Sequence, residues 1–516
     1  MEFISIFNDV IGPVMRGPSS SHTAGSYRIG RMARSLLGEK PVAVALAFDP
    51  QGSYARTYSE QGADLGFAAG FLEWSITDDR FPQALEFASR SGISMEFRVS
   101  PLEKADHPNT VKIEMTGQSG KKLHLQAQST GGGLIIINEL EDWKVSLTGK
   151  SFVLLIESER GAEPGVIAAL RDEKENIGSA KVQSRGDLTL IQVQSRRGWN
   201  DAALDRLRSF SAVRRLWSIP PIFYVQQGEP LFSTAVEMIS VARGRGFSLG
   251  RAALAYESAL LGMSEEAAQA EMLQRWEVMR SAIHQGLQGE GLKMKLIEPS
   301  AATIFRAEAE GKTPAGGAAT RAAARALAVL HVSNSGGVVC AAPTGASSGV
   351  IPAVLATLAE KKNLSVDQIA LSLFAAGAVG LIIARRATFA AEIAGCQVEV
   401  GAAAAMAAAA VVEAGGGTAE QASDAAAISL QNTMGSVCDL VQGMCEIPCH
   451  TRNATAAASA FVCADMVIGG YKNPIPLDET IDAVFSVGRM LQPELRCTSL
   501  GGIALAPSAI SLSRLK

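Results

Sequence analysis

The stretch that most limits how this chain can fold is an uncharged apolar run from Ile369 to Ala384, closed by Arg385 and Arg386. Such a run must leave water, either in a bilayer or in a protein core. A spanning helix needs about 20 apolar residues and no fewer than roughly 17; this run has sixteen. It also carries Gly377 and Gly380, where the missing side chains let another helix approach closely. The run is therefore expected to be a central helix in a tightly packed helical region.

Its surroundings agree. Beyond a linker at Gln226 to Pro230, helical patterns cover Leu231 to Arg243, Ser264 to Gln288, Thr320 to Leu330, Val350 to Lys361 and the Ala-rich series that follows. Residues 231–516 are predicted to be all-α. Upstream, residues 1–148 mix helix and strand. Val42 to Phe48 reads as a buried strand, Lys112 to Met115 and Leu123 to Ala127 alternate as half-buried strands, and Leu134 to Ile137 follows a glycine turn. Residues 150–225 run strand (Phe152 to Ile156), helix (from Pro164 toward Gly178), two strands (Ala180 to Ser184, Leu188 to Val193), helix (Asp201 to Phe210) and strand (Val213 to Ile219). That β-α-β-β-α-β order predicts a ferredoxin-like α/β sandwich, and it resembles the ACT module, a small regulatory domain that commonly binds amino acids. The expected fold class is thus multidomain: α+β, then ferredoxin-like α/β, then all-α.

A length of 516 residues exceeds one ordinary core, in keeping with two or three domains. A net charge of −4 supplies no general drive toward nucleic acid or an anionic membrane, so neither is expected as a partner. Met1-Glu2-Phe3-Ile4-Ser5 carries an early acid and no basic segment, unlike a secretory leader. All seven cysteines, at 340, 396, 438, 445, 449, 463 and 497, lie beyond residue 339, a one-sided odd set that fits a reducing compartment and a cytoplasmic location.

Cys340 and Cys463 have apolar neighbours and read as small buried hydrophobes. For Cys396 in Gly395-Cys396-Gln397, Cys438 in Val437-Cys438-Asp439 and Cys449 in Pro448-Cys449-His450 the spacing decides, 42 positions and then 11. Soft thiolates of that kind suit iron–sulfur clusters or zinc, yet no local CxxC pairing singles out a metal, and buried structural thiols stay an equal reading on the residues alone.

Larger motifs are more specific. Val338 to Pro352 (with Pro343-Thr344-Gly345-Ala346-Ser347-Ser348-Gly349), Gly395 to Gly401, Cys438-Asp439 with Ile447-Pro448-Cys449 and Arg452-Asn453-Ala454, and Leu495 to Gly502 resemble signatures of iron–sulfur-dependent L-serine dehydratases. So do Gly17-Pro18-Ser19-Ser20-Ser21-His22-Thr23 and His107-Pro108-Asn109-Thr110 near the start. The resemblance covers nearly the whole chain and implies a β-type domain, an ACT-like domain and a catalytic α domain. It implies a [4Fe–4S] cluster on Cys396, Cys438 and Cys449, with one iron left free for the substrate's carboxylate and hydroxyl oxygens, and a small-molecule amino-acid substrate. The implied reaction is loss of water from L-serine, giving pyruvate and ammonia, in a homo-oligomer. Some relatives cap the free iron with a C-terminal cysteine; this chain ends in Leu515-Lys516.

The motifs also nominate substrate residues. Ser19, Ser20, Ser21 and Thr23 precede a helical stretch and suit a carboxylate at a helix start, although a plain cap would use the same residue types. His22 is a candidate acid/base with a pKa near neutrality, and His107 a weaker one. Thr344, Gly345 and Ser347 offer a carboxylate cradle or a tight turn. Arg452 stands one helical turn from Cys449, suited to a carboxylate, with Asn453 to orient substrate. Asp439 and Glu399 are acids beside the proposed ligands, without an assigned role. Arg386 to Glu392 and Arg496-Cys497-Thr498 depart from the family's usual Asn-Ala-Ser and Arg-Glu-Thr, which opens the substrate to another β-hydroxy amino acid and Cys497 to a ligand role. A pyridoxal-phosphate dehydratase and a non-catalytic amino-acid sensor are the rival readings.

Overall fold

The computed structural model describes residues 3–170 and 177–515. Three bodies of secondary structure are built from the three textures of the sequence. The first is a six-stranded sheet in the order Ser94–Val99, Pro41–Phe48, Thr110–Gly117, Lys122–Gly131, Leu134–Leu140, Trp143–Leu147, parallel only at its first pair. Helices Gly25–Leu37 and Ala63–Phe71 share its apolar core. These two helices touch backbone to backbone: a Cβ at Gly66 would meet Thr23 O at 2.4 Å, and one at Gly70 would meet Tyr27 O at 2.5 Å.

The second body is an antiparallel sheet in the order Val213–Ile219, Phe152–Glu159, Leu188–Ser195, Ile177–Arg185, with helices Glu163–Ala169 and Asp201–Ser209 in its crossovers. Leu154, Ile156, Ile191 and Val193 face those helices, whereas Val153, Leu155, Leu190 and Trp217 join the core of the first sheet. Burial on both faces explains why Phe152 to Ile156 is apolar at every position rather than alternating. The helix expected to run toward Gly178 is shorter: residues 171–176 lie outside the described residues, and Ile177 and Gly178 already belong to a strand. Pairing with Leu188–Ser195 on one edge overrides the helical reading there.

From Ala235 onward the described elements are helices and helical turns, apart from Val338–Cys340. That three-residue strand pairs antiparallel with Val14–Arg16 and stitches the start of the chain to the helical body, a departure from the all-α expectation. Val366–Arg386 and Cys396–Ala414 are each long and apolar enough to cross a membrane, but 78% and 89% of their apolar windows are buried against the rest of the chain. Gly380 faces the helix Val400–Ala414, where its Cβ would meet Met406 Cε at 3.1 Å, and both glycines also take a short N-terminal helical turn, with Cβ atoms meeting Ile6 Cγ2 at 2.8 Å and Val10 Cγ1 at 2.1 Å. The extreme N-terminal turn Ile6–Val10 thus plugs the helical core, its amides of Ile6 and Phe7 capped by the buried Glu257 carboxylate.

Candidate functional site

Three loops of the helical body converge on a buried group of thiols. Gly395 holds a positive φ of 77°, and a Cβ on it would meet Ser436 O at 2.7 Å, so only glycine lets the Cys396 turn lie against the Cys438 loop. Gln397 fastens the two loops, accepting from Gly435 N at 2.9 Å. Cys449 opens the helix Cys449–Ile468, and Asn453 one turn on donates to Cys449 O at 2.9 Å and to Ala346 O at 2.8 Å. Cys396, Cys438 and Cys449 are all buried.

Two further thiols join them. Cys497 donates its backbone N–H to Cys438 O at 2.8 Å, and the Cys438 thiol hydrogen-bonds to Cys497. Cys445 hydrogen-bonds to Cys449 and holds its thiol below the ordinary value, helped by Arg452. Burial pushes Cys396 up to about 12, while Arg452, charged alongside Cys396, Cys438 and Cys449, works the other way. Arg452 is itself fixed, donating to Val437 O at 2.7 Å and pairing with Asp439 Oδ1 at 3.0 Å. Among the described residues no three His, Cys, Asp or Glu side chains gather at the spacing that one metal ion requires.

The N-terminal body covers this group with its serine-rich turn. Ser19 caps the turn Ser20–Ala24 by accepting from His22 N at 3.1 Å. A Cβ at Gly345 would meet Ser20 N at 2.9 Å, so the Ser19–Ser21 turn and the Thr344–Ser347 turn lie in contact. Thr344 and Ser347 cap each other reciprocally, with their hydroxyls 3.0 Å apart. Thr23 accepts from Ser19 N at 3.4 Å and donates to Gln61 O at 2.8 Å, and Gln61 in turn donates to the Cys497 sulfur at 3.7 Å.

His22 is fully enclosed. Its Nε2 lies 3.0 Å from Thr57 Oγ1 and 3.3 Å from Ser53 Oγ, and its Nδ1 lies 3.3 Å from Ser19 Oγ and 3.6 Å from Glu392 Oε1. Burial drives its pKa down to about 3, which corrects the expectation of a value near neutrality: no ring nitrogen is exposed to water that could solvate the cation. His107, lowered to about 4 by burial, stands one step back and accepts from Asn109 N at 3.1 Å. Asn109 is the member of that motif that reaches the site, donating to Glu392 Oε1 at 3.0 Å.

Glu392, Asn109, Gln61 and Cys445 are therefore site neighbours that residue patterns did not nominate, while Cys497, raised there only by its departure from the family pattern, joins the thiols. Asn109 lies inside the His107-Pro108-Asn109-Thr110 motif and Glu392 four positions before Cys396, but neither position announces a partner hundreds of residues away. Two open clefts elsewhere, one over Val44, Glu96 and His124 and one between Arg28, Tyr224 and Arg275, are lined by none of these residues.

A helical body with clustered thiols beneath a hydroxyl-rich turn defines a soft-donor site enclosed between two parts of one chain. Residues 211–504 match the family described as serine dehydratase alpha chain, and the chain belongs to that family. It is 36% identical over 284 residues to the probable L-serine dehydratase alpha chain of Bacillus subtilis (strain 168), covering 55% of this chain and 95% of that one. It is also 39% identical over 211 residues to the probable L-serine dehydratase beta chain of the same organism, covering 40% of this chain and 94% of that one. L-serine dehydratase 2 of Escherichia coli (strain K12) is 32% identical over 281 residues, 53% of this chain and 61% of its own.

Proposed function

We propose that this chain is an L-serine ammonia-lyase that removes water from serine to yield pyruvate and ammonia, with a [4Fe–4S] cluster on Cys396, Cys438 and Cys449. The observation that carries this reading is the convergence of three buried thiols from three loops around one guanidinium, in a chain similar to both L-serine dehydratase chains of one bacterium. The donor set fits the group. All donors are soft sulfurs, the ligand type of iron–sulfur clusters, and Arg452 offsets their negative charge. When bound, the cluster supplies a Lewis-acidic iron without a protein ligand, which polarises a hydroxyl for departure. The chain's own residues enclose the substrate: the Ser19–Ser21 and Thr344–Ser347 turns offer hydroxyls, Asn453 an amide, and neutral His22 fixes the turn on which the serines sit.

The same reading assigns 1–148 to a β-type domain, 150–225 to an ACT-like regulatory domain and 231–516 to the catalytic domain, in a cytoplasmic homo-oligomer. The β-α-β-β-α-β sheet order supports the second of these. One observation favours a neighbouring substrate: Cys497 stands where the family pattern has an acid and contacts Cys438, so another β-hydroxy amino acid is the second reading.

Anaerobic purification with iron and sulfide analysis, followed by a pyruvate assay on L-serine, tests this. About four irons per chain and pyruvate release are expected. Cys396→Ala, Cys438→Ala and Cys449→Ala should each lose the brown colour and activity. Any one that keeps both removes that cysteine from the ligand set, and an iron-free active wild type rejects the cluster.

A further inference from the structure

Glu392 is a buried carboxylate without a cation. Its side chain is 3% exposed, and its only ion-pair neighbour among the described residues is His22, which burial keeps neutral. Oε1 accepts from Asn109 Nδ2 at 3.0 Å; Ser21 and the residue's own amide also hydrogen-bond the carboxylate, yet no donor stands within good hydrogen-bond geometry of Oε2. Two more fully buried polar atoms on its neighbours are also unpartnered: Asn109 Oδ1, on the amide bound to it, and Ser20 Oγ, in the turn next to Ser21, which hydrogen-bonds Glu392. Unmade hydrogen bonds on buried polar atoms are costly, most of all on a charged group, so such atoms mark a missing partner. Burial alone raises the Glu392 pKa, and Glu399, its acidic neighbour, is raised further by the same cause and by Glu392 itself. Arg452 does not relieve either acid, since the groups it offsets are Cys396, Asp439, Cys449 and Cys438.

The group that would satisfy this arrangement is a small cation with several N–H donors. No arginine or lysine among the described residues pairs with Glu392. An amino-acid substrate brings a matching one, a primary ammonium carrying three donors. We infer that Glu392, supported by Asn109, holds the α-ammonium of the substrate, an assignment that rests on the proposed amino-acid lyase reading and deepens it. The geometry divides the zwitterion between two parts of the chain, with the ammonium at Glu392 and Asn109 and the oxygen-bearing end toward the thiols. It also gives Glu392 a specificity role: a 2-deamino analogue leaves the carboxylate buried and unpaired.

The test compares L-serine with 3-hydroxypropanoate, which keeps the carboxylate and hydroxyl but has hydrogen in place of the ammonium. Dissociation constants are measured by anaerobic calorimetry on the iron-loaded enzyme, at a temperature where turnover is negligible, with iron content and thermal midpoint recorded for each protein. In the wild type, L-serine should bind at least about 30-fold more tightly than 3-hydroxypropanoate, the ratio that loss of one partner from a buried charge pair produces. Glu392→Gln, which keeps the shape and the acceptor for Asn109, should erase most of that ratio by weakening L-serine alone. Glu392→Asp should restore part of it. Equal binding of the two ligands by the wild type overturns the assignment without any variant. So does a Glu392→Gln protein that still prefers L-serine as the wild type does. A wild type that releases pyruvate from L-serine in either case leaves the lyase reading standing; one that neither binds nor converts L-serine overturns that reading and the assignment with it.

Discussion

Arg452 is held at both ends of its guanidinium, by Val437 O at 2.7 Å and by Asp439 Oδ1 at 3.0 Å, and this fixes a positive charge beside three thiols. Deprotonating all three in a buried space is opposed by their mutual repulsion, so the cation is needed most when a cluster is assembled. Arg452→Ala should leave Asp439 unpaired and reduce iron per chain to less than about half of the wild-type content, with a stability loss on the order of 2 kcal/mol, tempered because the side chain is 28% exposed. Arg452→Lys keeps the charge but not the two-point fixation and should fall between. Iron analysis after anaerobic desalting decides this, and full iron in Arg452→Ala would reject the role. The cysteines and Arg452 were legible because they sit in local motifs. Glu392 was not, because its significance comes from Asn109, 283 positions away. Cys497 stood out by its departure from the family motif, but its contact with Gln61, 436 positions away, did not, since such contacts leave no periodic trace in a sequence.

Helix packing in the C-terminal body is set by small residues. The helix Glu265–Gln288 crosses Gly317–Asn334 at Gly286, where a Cβ would lie 2.1 Å from Ala328 O and 2.4 Å from its carbonyl carbon. Backbone cannot yield as a flexible side-chain end can, so Gly286→Ala should destabilise by about 1–3 kcal/mol. Gly244 is the counterpart: it lies in Ala235–Arg245, is exposed, and has nothing within 4 Å of its Cβ direction. Gly244→Ala should stabilise by about 0.4–1 kcal/mol through the unfolded chain. Urea unfolding midpoints of the two variants should move in opposite directions, and parallel shifts would show that helix propensity, not contact, governs both. Period and turn residues revealed the sheets and most helices. They did not reveal which element fills the groove at Gly377 and Gly380, because a glycine announces closeness without naming the neighbour.

Across the whole molecule, burial sequesters titratable groups of both signs, some within one body and some at the contact between two, and their opposition shapes acid stability. His22 is lowered to about 3, and His107 and His331 to about 4, by burial. The unfolded chain protonates these side chains near 6.5. It therefore binds more protons than the native state once pH drops below that value, and stability falls with pH by up to about 1.4 kcal/mol per unit per histidine. Buried acids act in reverse. Glu257 is raised to about 7 and Asp64 to about 6, with Glu413 raised as well, each chiefly by burial. Between those values and the unfolded value near 4 the native state binds the extra proton, so stability rises as pH falls. Histidines and acids of these two kinds oppose each other from about pH 7 to 4.5, His450 adding to the first and Glu392, Glu399 and Asp424 to the second. Below that the acids are protonated in both states, while His22 still resists protonation. Urea midpoints of the iron-free chain should thus stay almost level from pH 7 to about 4.5 and then drop steeply. Glu257→Gln deletes one compensating acid, so its midpoint should begin falling already between pH 7 and 4.5. A Glu257→Gln profile parallel to wild type would show that this carboxylate is ionised in the native fold, held by the amides of Ile6 and Phe7 and the Ser5 hydroxyl strongly enough to overcome its burial.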